Sequence, residues 1–498
     1  MNQTDASEIQ YDTRLAGHPT GLLVLFFTEL WERFSYYGMR GILILYLVTA
    51  RDAGGLGLDV AMAGAVYGLY TSMVYLAGVP GGWLADRILG QRRSVLYGGI
   101  LIASGHFTIA LNSLPTFYSG LCLIVLGTGL LKPNISAMVG QLYRPGDGRR
   151  DAGFTIFYMG INLGAMFGPL VCGWLAEKVA WHYGFGVSGI GMLLGLVVYT
   201  VFGGPLRHAG SKPLDTEPTE ARATRRTALA GGAAIGLSVV VLVTLVSMGG
   251  LTLIGVANAF GVVLVGLAAV FFGWIFISFQ WTPAQRNRLI IIAVLFVGAA
   301  IFWSGYEQSG SSLTLFANEH TNRTLGGEEF PTSWFQSVPA LYVLMLSIVF
   351  AVLWTALGPR QPGYVAKFAI GLGFLGAGFA VMIVAATRVA DGGQVGPGWL
   401  LGAYFLHVVG EMCLSPIGLA AVTRLAPRRV TSTMMGAWFL ASSVGSYFAG
   451  RAVGLYESLS LPALFGLSAG VALVAGLILV ALIRPTRRLL DRGSHGLG

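Results

Sequence analysis

The sequence predicts an all-α polytopic membrane protein of about fourteen spans: two six-helix bundles with two extra helices inserted between them. Three observations predict it. Of 498 residues, 55% are hydrophobic and only 11% charged, far from the balance of soluble domains. Apolar runs near the bilayer-spanning length of about 20 residues recur along the whole chain. Basic residues gather in alternate loops (Arg87, Arg92 and Arg93; Arg144, Arg149 and Arg150; Arg286 and Arg288; Arg428 and Arg429), and the loops between are nearly free of them. The positive-inside rule then puts both termini in the cytoplasm.

The elements follow in order. Residues 1–20 are polar and do not read as a signal peptide; they form a cytoplasmic N-terminal segment. Six spans fill 21–204, near 21–50, 61–86, 94–113, 116–143, 153–179 and 185–204. The polar stretch 205–227 is a cytoplasmic linker. Within 228–280, two helices near 228–248 and 254–280 carry no charge in their cores. They are expected to face lipid or pack passively, outside the working machine. Six more spans fill 288–483, near 288–317, 333–357, 365–387, 398–424, 431–458 and 461–483, and 484–498 is a cytoplasmic tail. A six-plus-six frame suggests two related halves with a substrate site near mid-membrane.

Composition also excludes. The net charge of +9 does not point to nucleic acid, because Lys and Arg are scattered over short loops where they set topology. Cys122, Cys172 and Cys413 lie in hydrophobic segments and suit packing better than a disulfide framework or a metal site. An intramembrane enzyme is disfavoured: there is no paired-Asp protease motif, no Ser–His constellation in adjoining spans and no His-rich cluster. No cofactor is expected. His106 and His407 lie in spans and read as satisfied interior histidines.

The first span is the most informative. It holds Glu29, Glu32, Arg33 and Arg40, and positions 29, 32, 33, 36 and 40 share one helical face. Each ionisable group at bilayer depth costs at least about 2.5 kcal/mol unless it faces protein or water. The stripe is therefore either the lining of a solute path or an internal salt-bridge network.

After the second span, Gly81-Gly-Trp-Leu-Ala-Asp86-Arg-Ile-Leu-Gly90-Gln-Arg-Arg93 resembles the signature loop of the major facilitator superfamily. Its glycines permit close helix contact, Asp86 sits at a helix end, and Arg87, Arg92 and Arg93 can bond to carboxylates or helix termini. The first-span motif, Glu29-Leu-Trp-Glu32-Arg33-Phe34-Ser-Tyr36-Tyr37-Gly38, resembles a signature of the proton-dependent oligopeptide transporter family. Further agreements follow in order: Gly129-Leu-Leu-Lys132-Pro133-Asn134; Phe154-x-x-Phe157-Tyr158-x-x-Ile161-Asn162-x-Gly164; Phe302-Trp303 with Glu307-Gln308; Glu411-Met-Cys-Leu-Ser415-Pro416; and Trp438 with Ser442. The chain departs from the family where Phe335-Gln336-Ser337 is followed by Val338-Pro339-Ala340 instead of Asn-Pro. The second helix also has no histidine, so proton coupling must rest on carboxylates.

The resemblance implies a major facilitator fold and a proton-coupled symporter that imports di- and tripeptides by alternating access. It implies a bacterial inner-membrane protein working as a monomer in the bilayer, with protons as the coupling ion. Glu29, Glu32, Arg33 and Glu307 are the candidates for proton coupling. The candidate substrate residues are Arg33, Tyr36, Tyr37, Arg40, Tyr75, Lys132, Asn162, Trp303, Glu411, Trp438 and Ser442.

Charge supports a zwitterionic ligand. The membrane interior of the first half sums to one positive charge and that of the second half, Glu307 and Glu411, to two negative. A peptide carboxylate then suits Arg33, Arg40 or Lys132 through charge-assisted bonds, and its ammonium suits Glu411. At about 1.5 Å of rise per residue, Arg40 and Glu307 lie roughly 30 Å from the cytoplasmic ends of their spans, and Lys132 and Glu411 roughly 15–20 Å. Matched depths make Arg40–Glu307 and Lys132–Glu411 candidate gates, and the resemblance implies the same pairing. The alternative on the same fold is a carrier of another small solute, such as nitrate, an amino acid or a drug.

Overall fold

The computed structural model describes residues 15–494 apart from 145, 207–208, 211–225, 229, 234–240, 242–243, 246–247 and 428. The linker and the first inserted span, 228–248, therefore lie largely outside the described residues. The described chain is almost entirely helical. Its helices are α1 (Gly21–Val48), α2 (Val60–Leu76), α3 (Gly78–Leu84), α4 (Gln91–Ile109), α5 (Leu114–Gln141), α6 (Arg150–Lys178) and α7 (Trp181–Val201). After the linker come α8 (Leu253–Ile277), α9 (Pro283–Tyr306), α10 (Ser312–His320), α11 (Val338–Leu357), α12 (Tyr364–Val389), α13 (Gly398–Leu425), α14 (Thr431–Val453) and α15 (Leu461–Ser494). A two-residue hairpin, β1 (Thr324–Leu325) with β2 (Glu328–Glu329), joins α10 to the 3-10 turn before α11. Among the described residues, ten spans are long and apolar enough to cross a membrane. α1, with four charged residues, is not one of them by that measure, although it is 28 residues long.

The chain folds as two compact units: Met1–Arg40 with Ala77–Val241, and Gly41–Leu76 with Leu242–Gly498. In the first unit, α4 packs along α5 and α7, and α3 lies on α5. A core of Leu131, Ile135, Met138 and Met192 forms between them. At the rim, Arg149 holds Asp147 with its Nε at 3.0 Å and an Nη at 2.7 Å. These hydrogen bonds hold the Asp147 carboxyl down at about 2. The signature loop is helical too: α3 runs into a π turn, Ala85–Leu89, and Gly90 at φ +77° starts α4. Arg92 donates to the Gly203 carbonyl just past α7 at 3.3 Å, as expected of a loop cation near a helix end. Asp86 is exposed and accepts from Gln91 at 3.4 Å.

In the second unit, α12 packs on α13 and α15, and α9 packs on α14 and α15. Phe302, Phe368, Phe379 and Phe465 fill its core, fully buried. Two features differ from the sequence expectation. The seventh span breaks: α9 ends at Tyr306, Glu307–Gly310 form a 3-10 turn, and the chain restarts in α10. The tail after 483 does not leave the last span, because helix continues through Ser494, held where Asn287 bonds the Leu489 carbonyl at 3.1 Å. The inserted α8 packs along one face and leaves the other open. It buries Ala257, Gly261, Leu264, Ala268 and Ile275, spaced three, four and seven apart along one face. That face meets α2 and α14, and Phe272 packs on Phe296 of α9 at 5.0 Å.

Candidate functional site

α1 positions five of the candidate residues on the buried face its sequence periodicity sets. Arg33 Nε donates to Glu32 beside it and lies 3.1 Å from Glu29 Oε1, one turn away, in an ion pair. All three are at most 2% exposed. The guanidinium also lies over the Tyr36 ring at 5.3 Å, and the Arg40 guanidinium lies over Tyr37 at 5.8 Å. Each is an aromatic face set against a cation.

The motifs of α1 and α6 are separate in sequence and meet in space. A Cβ at Gly164 would press on the Arg33 Cβ and the Phe34 nitrogen, each at 2.8 Å. A Cβ at Gly38 would strike the Cys172 sulfur. Only glycine at these places lets α6 come up against the Glu-Arg segment. Asn162, two residues earlier, is buried and spends its amide on the Tyr158 carbonyl at 2.9 Å. Lys132 of α5 is half-buried.

The polar atoms of this cluster are only half used. Glu29 Oε2, Glu32 Oε1 and Arg33 Nη2 are buried and have no hydrogen-bond partner among the described residues. The charges are paired, but buried polar atoms left without a hydrogen bond are costly and call for an explanation.

In the second unit, the break after α9 presents Glu307, 4% exposed. Tyr75, in the last turn of α2, donates to Glu307 Oε1 at 3.4 Å. Gln308 braces the turn by donating to the Ser304 carbonyl at 3.1 Å and to Ser468 Oγ at 3.2 Å. The Gln336 amide bonds the Ser309 carbonyl and the Thr314 hydroxyl, the latter at 2.7 Å. Here this glutamine fixes the turn that carries Glu307, and the departure at Val338-Pro339-Ala340 simply starts α11 with Pro in its first turn. Glu411 of α13 is buried; Tyr306 hydrogen-bonds it, and its Oε2 has no partner among the described residues. Tyr306 was missed in the sequence reading. Its signal was spacing: it follows Trp303 by three residues and so shares that helical face.

The aromatic candidates divide. Trp303 is half-buried and stands edge-on to Tyr306 at 5.4 Å, so part of its face remains open. Trp438 is 8% exposed, seated on Gly418 and edge-on to Phe368 at 6.1 Å. It packs the core more than it lines a path. Ser442 is buried one turn on. The histidine expectation is corrected in one respect: both rings are buried, yet no nitrogen of His106 or His407 makes a hydrogen bond of ordinary geometry among the described residues. The His407 ring lies against Gly378 and the Phe379 ring, the latter at 4.8 Å.

Comparison with known proteins agrees along the chain. The model of the POT family matches residues 92–465. A peptide transporter of Yersinia enterocolitica is 43% identical over 489 residues, covering 95% of this chain and 96% of the relative. A di-/tripeptide transporter of Lactococcus lactis is 36% identical over 494 residues, covering 95% and 97%. The crystal structure of a peptide transporter POT in complex with sulfate superposes with a TM-score of 0.92 at 41% identity, covering 98% and 99%. That of a POT family transporter in complex with 5-aminolevulinic acid gives 0.91 at 34%, covering 97% and 100%. With motifs, helices and whole-chain likeness in agreement, this chain belongs to the POT family of multi-span membrane transporters.

Proposed function

We propose that this chain is a proton-coupled symporter that carries di- and tripeptides inward by alternating access. It does so as a monomer in the bacterial inner membrane, with both termini in the cytoplasm. The observation that carries this is the fully buried charge cluster of Glu29, Glu32 and Arg33 on α1, which keeps unused hydrogen-bonding atoms among the described residues, as Glu411 does. Charges buried at this depth are rare unless they serve a solute or proton path, and a carrier that takes up a proton and a zwitterion uses groups of both signs. The relatives named for peptide and di-/tripeptide transport support the substrate class.

In this reading Arg33 is shared by two carboxylates, and protonating Glu29 or Glu32 frees it toward the peptide carboxylate. Lys132 is held by Glu29 until that proton arrives. Arg40, Tyr36, Tyr37, Tyr75 and Asn162 serve the backbone of the peptide, and Glu411 takes its ammonium. Trp303 is a tolerant wall for side chains, with Trp438 and Ser442 behind it. Glu307 is the second proton carrier. The gate pairs Arg40–Glu307 and Lys132–Glu411, and the part of Asp86 in closing the inner end, rest on depth along the spans and on the signature loop.

The test is uptake into proteoliposomes under an inward proton gradient, across dipeptides, tripeptides, free amino acids and nitrate. Accumulation of di- and tripeptides alone supports the proposal; nitrate accumulation without peptide uptake contradicts it. The second reading is a carrier of another small zwitterion. One relative's structure holds 5-aminolevulinic acid, which has an amine and a carboxylate at its two ends as a peptide has. Competition by that compound in the same assay decides how tolerant the site is.

A further inference from the structure

The inserted helix has no part in the account so far, yet it sits on a tightly built seam. α2 and α14 cross at glycines: a Cβ at Gly68 would lie 3.0 Å from both the Gly450 Cα and the Tyr447 carbonyl oxygen. One turn along, Ser72 and Ser443 exchange bonds. Each hydroxyl lies 2.8 Å from the other residue's carbonyl, the two hydroxyls are 2.8 Å apart, and both residues are fully buried. Such a crossing leaves no room for sliding, because neither backbone can move without breaking the reciprocal pair.

Tyr447 faces two ways. Its carbonyl abuts Gly68 of α2, and its ring fills the place where Gly261 of α8 would carry a side chain. Phe260 lies beside the same ring, centroids 6.1 Å apart. α8 also packs along α2, so one helix touches both sides of the seam. The two faces of α8 differ sharply: Ala257 and Leu264 are 1% exposed, while Val262 is 74% exposed. A helix added merely to fill lipid has no reason to seat a glycine on a tyrosine of its neighbour.

We propose that α8 is a brace across the α2–α14 seam, acting through Phe260, Gly261 and Tyr447 to set how readily that seam loosens during the transport cycle. The transport part of this rests on the proposed function; the brace itself does not. In sequence α2 belongs to the first six-span half and α14 to the second. Any motion that parts them must strip α8 from one or the other, so α8 adds to the barrier and favours the state in which the seam is shut.

The test uses the full chain in lipid nanodiscs without substrate. Hydrogen exchange of residues 60–76 is followed by mass spectrometry for wild type, Tyr447→Ala, Phe260→Ala, the milder Phe260→Leu, and Val262→Ala on the open face. The brace predicts exchange in 60–76 faster by about fivefold or more in the first two, the low end for coupling between sites. It predicts a smaller rise for Phe260→Leu, no change for Val262→Ala, and exchange in α5 as in wild type. Counterflow of a labelled dipeptide should change in the same order. Unchanged exchange in 60–76 in all variants, or an equal rise along the whole chain, overturns the brace. Normal peptide uptake beside unchanged exchange would sink the brace and leave the transport reading standing. Altered exchange without peptide uptake by wild type would do the reverse.

Discussion

The Tyr75 hydroxyl donates to Glu307 at 3.4 Å, linking the last turn of α2 to the break in the seventh span. The glutamate is thereby held at a place where helix geometry is already interrupted, and a change in its charge acts on a turn instead of a rigid rod. Removing the donor should weaken that coupling. A hydrogen bond contributes about 0.5–1.5 kcal/mol, so Tyr75→Phe should slow gradient-driven uptake by a few-fold, up to roughly tenfold. Counterflow at equal pH should change less, and uptake indistinguishable from wild type would remove Tyr75 from the coupling.

Arg33 should be the least replaceable residue of α1. Its Nε serves both Glu29 and Glu32, and truncating it strands two buried acids. Breaking a buried pair from one side costs about 3–5 kcal/mol, so Arg33→Ala should expel much of the protein from the folded fraction on detergent size exclusion. Arg33→Lys should fold better and still fail to accumulate peptide, because one ammonium does not reproduce the guanidinium fork.

Lys132 stands half-buried on α5, in the same compact unit as Glu29. If it passes between that acid and the peptide carboxylate, Lys132→Ala should stay monodisperse yet lose driven uptake. Lys132→Arg should also do poorly, since a planar fork does not replace a compact charge. Near-normal driven uptake by Lys132→Ala would return the lysine to a structural role.

Glu411 offers one oxygen to Tyr306 and has a second with no partner among the described residues. That second oxygen fits a peptide ammonium. Peptides with a blocked amino terminus should compete at least about tenfold less well than free ones, a loss of some 1.4 kcal/mol, and Glu411→Ala should erase the difference. Equal competition in the wild type would refute the assignment.

Much of this was legible in the sequence because periodicity and charge are local. The face of α1 follows from spacings of three and four, and the family resemblance followed from motifs read in order. What stayed hidden depends on partners far apart in sequence. No local pattern says that Gly164 seats α6 against Arg33, that Gln336 ties the turn after Glu307, or that Ser72 meets Ser443. The break after Tyr306 was masked by continued apolar residues, Leu313 through Ala317, which read as one span. The apolar core of 254–280 does not say which neighbour it packs on, because lipid and a packed neighbour select the same residue types; the seat of Gly261 on Tyr447 appears only in the fold.

The central claim is that transport is driven by protons through the buried carboxylates, with Glu307 as the one that couples the outer end. Glu307→Gln keeps the shape of the side chain and removes its charge. The deciding measurement is dipeptide uptake by this variant in proteoliposomes, once with an inward proton gradient and once as counterflow without one. The account predicts that gradient-driven accumulation is lost while counterflow persists. Full accumulation against a gradient by Glu307→Gln would contradict it.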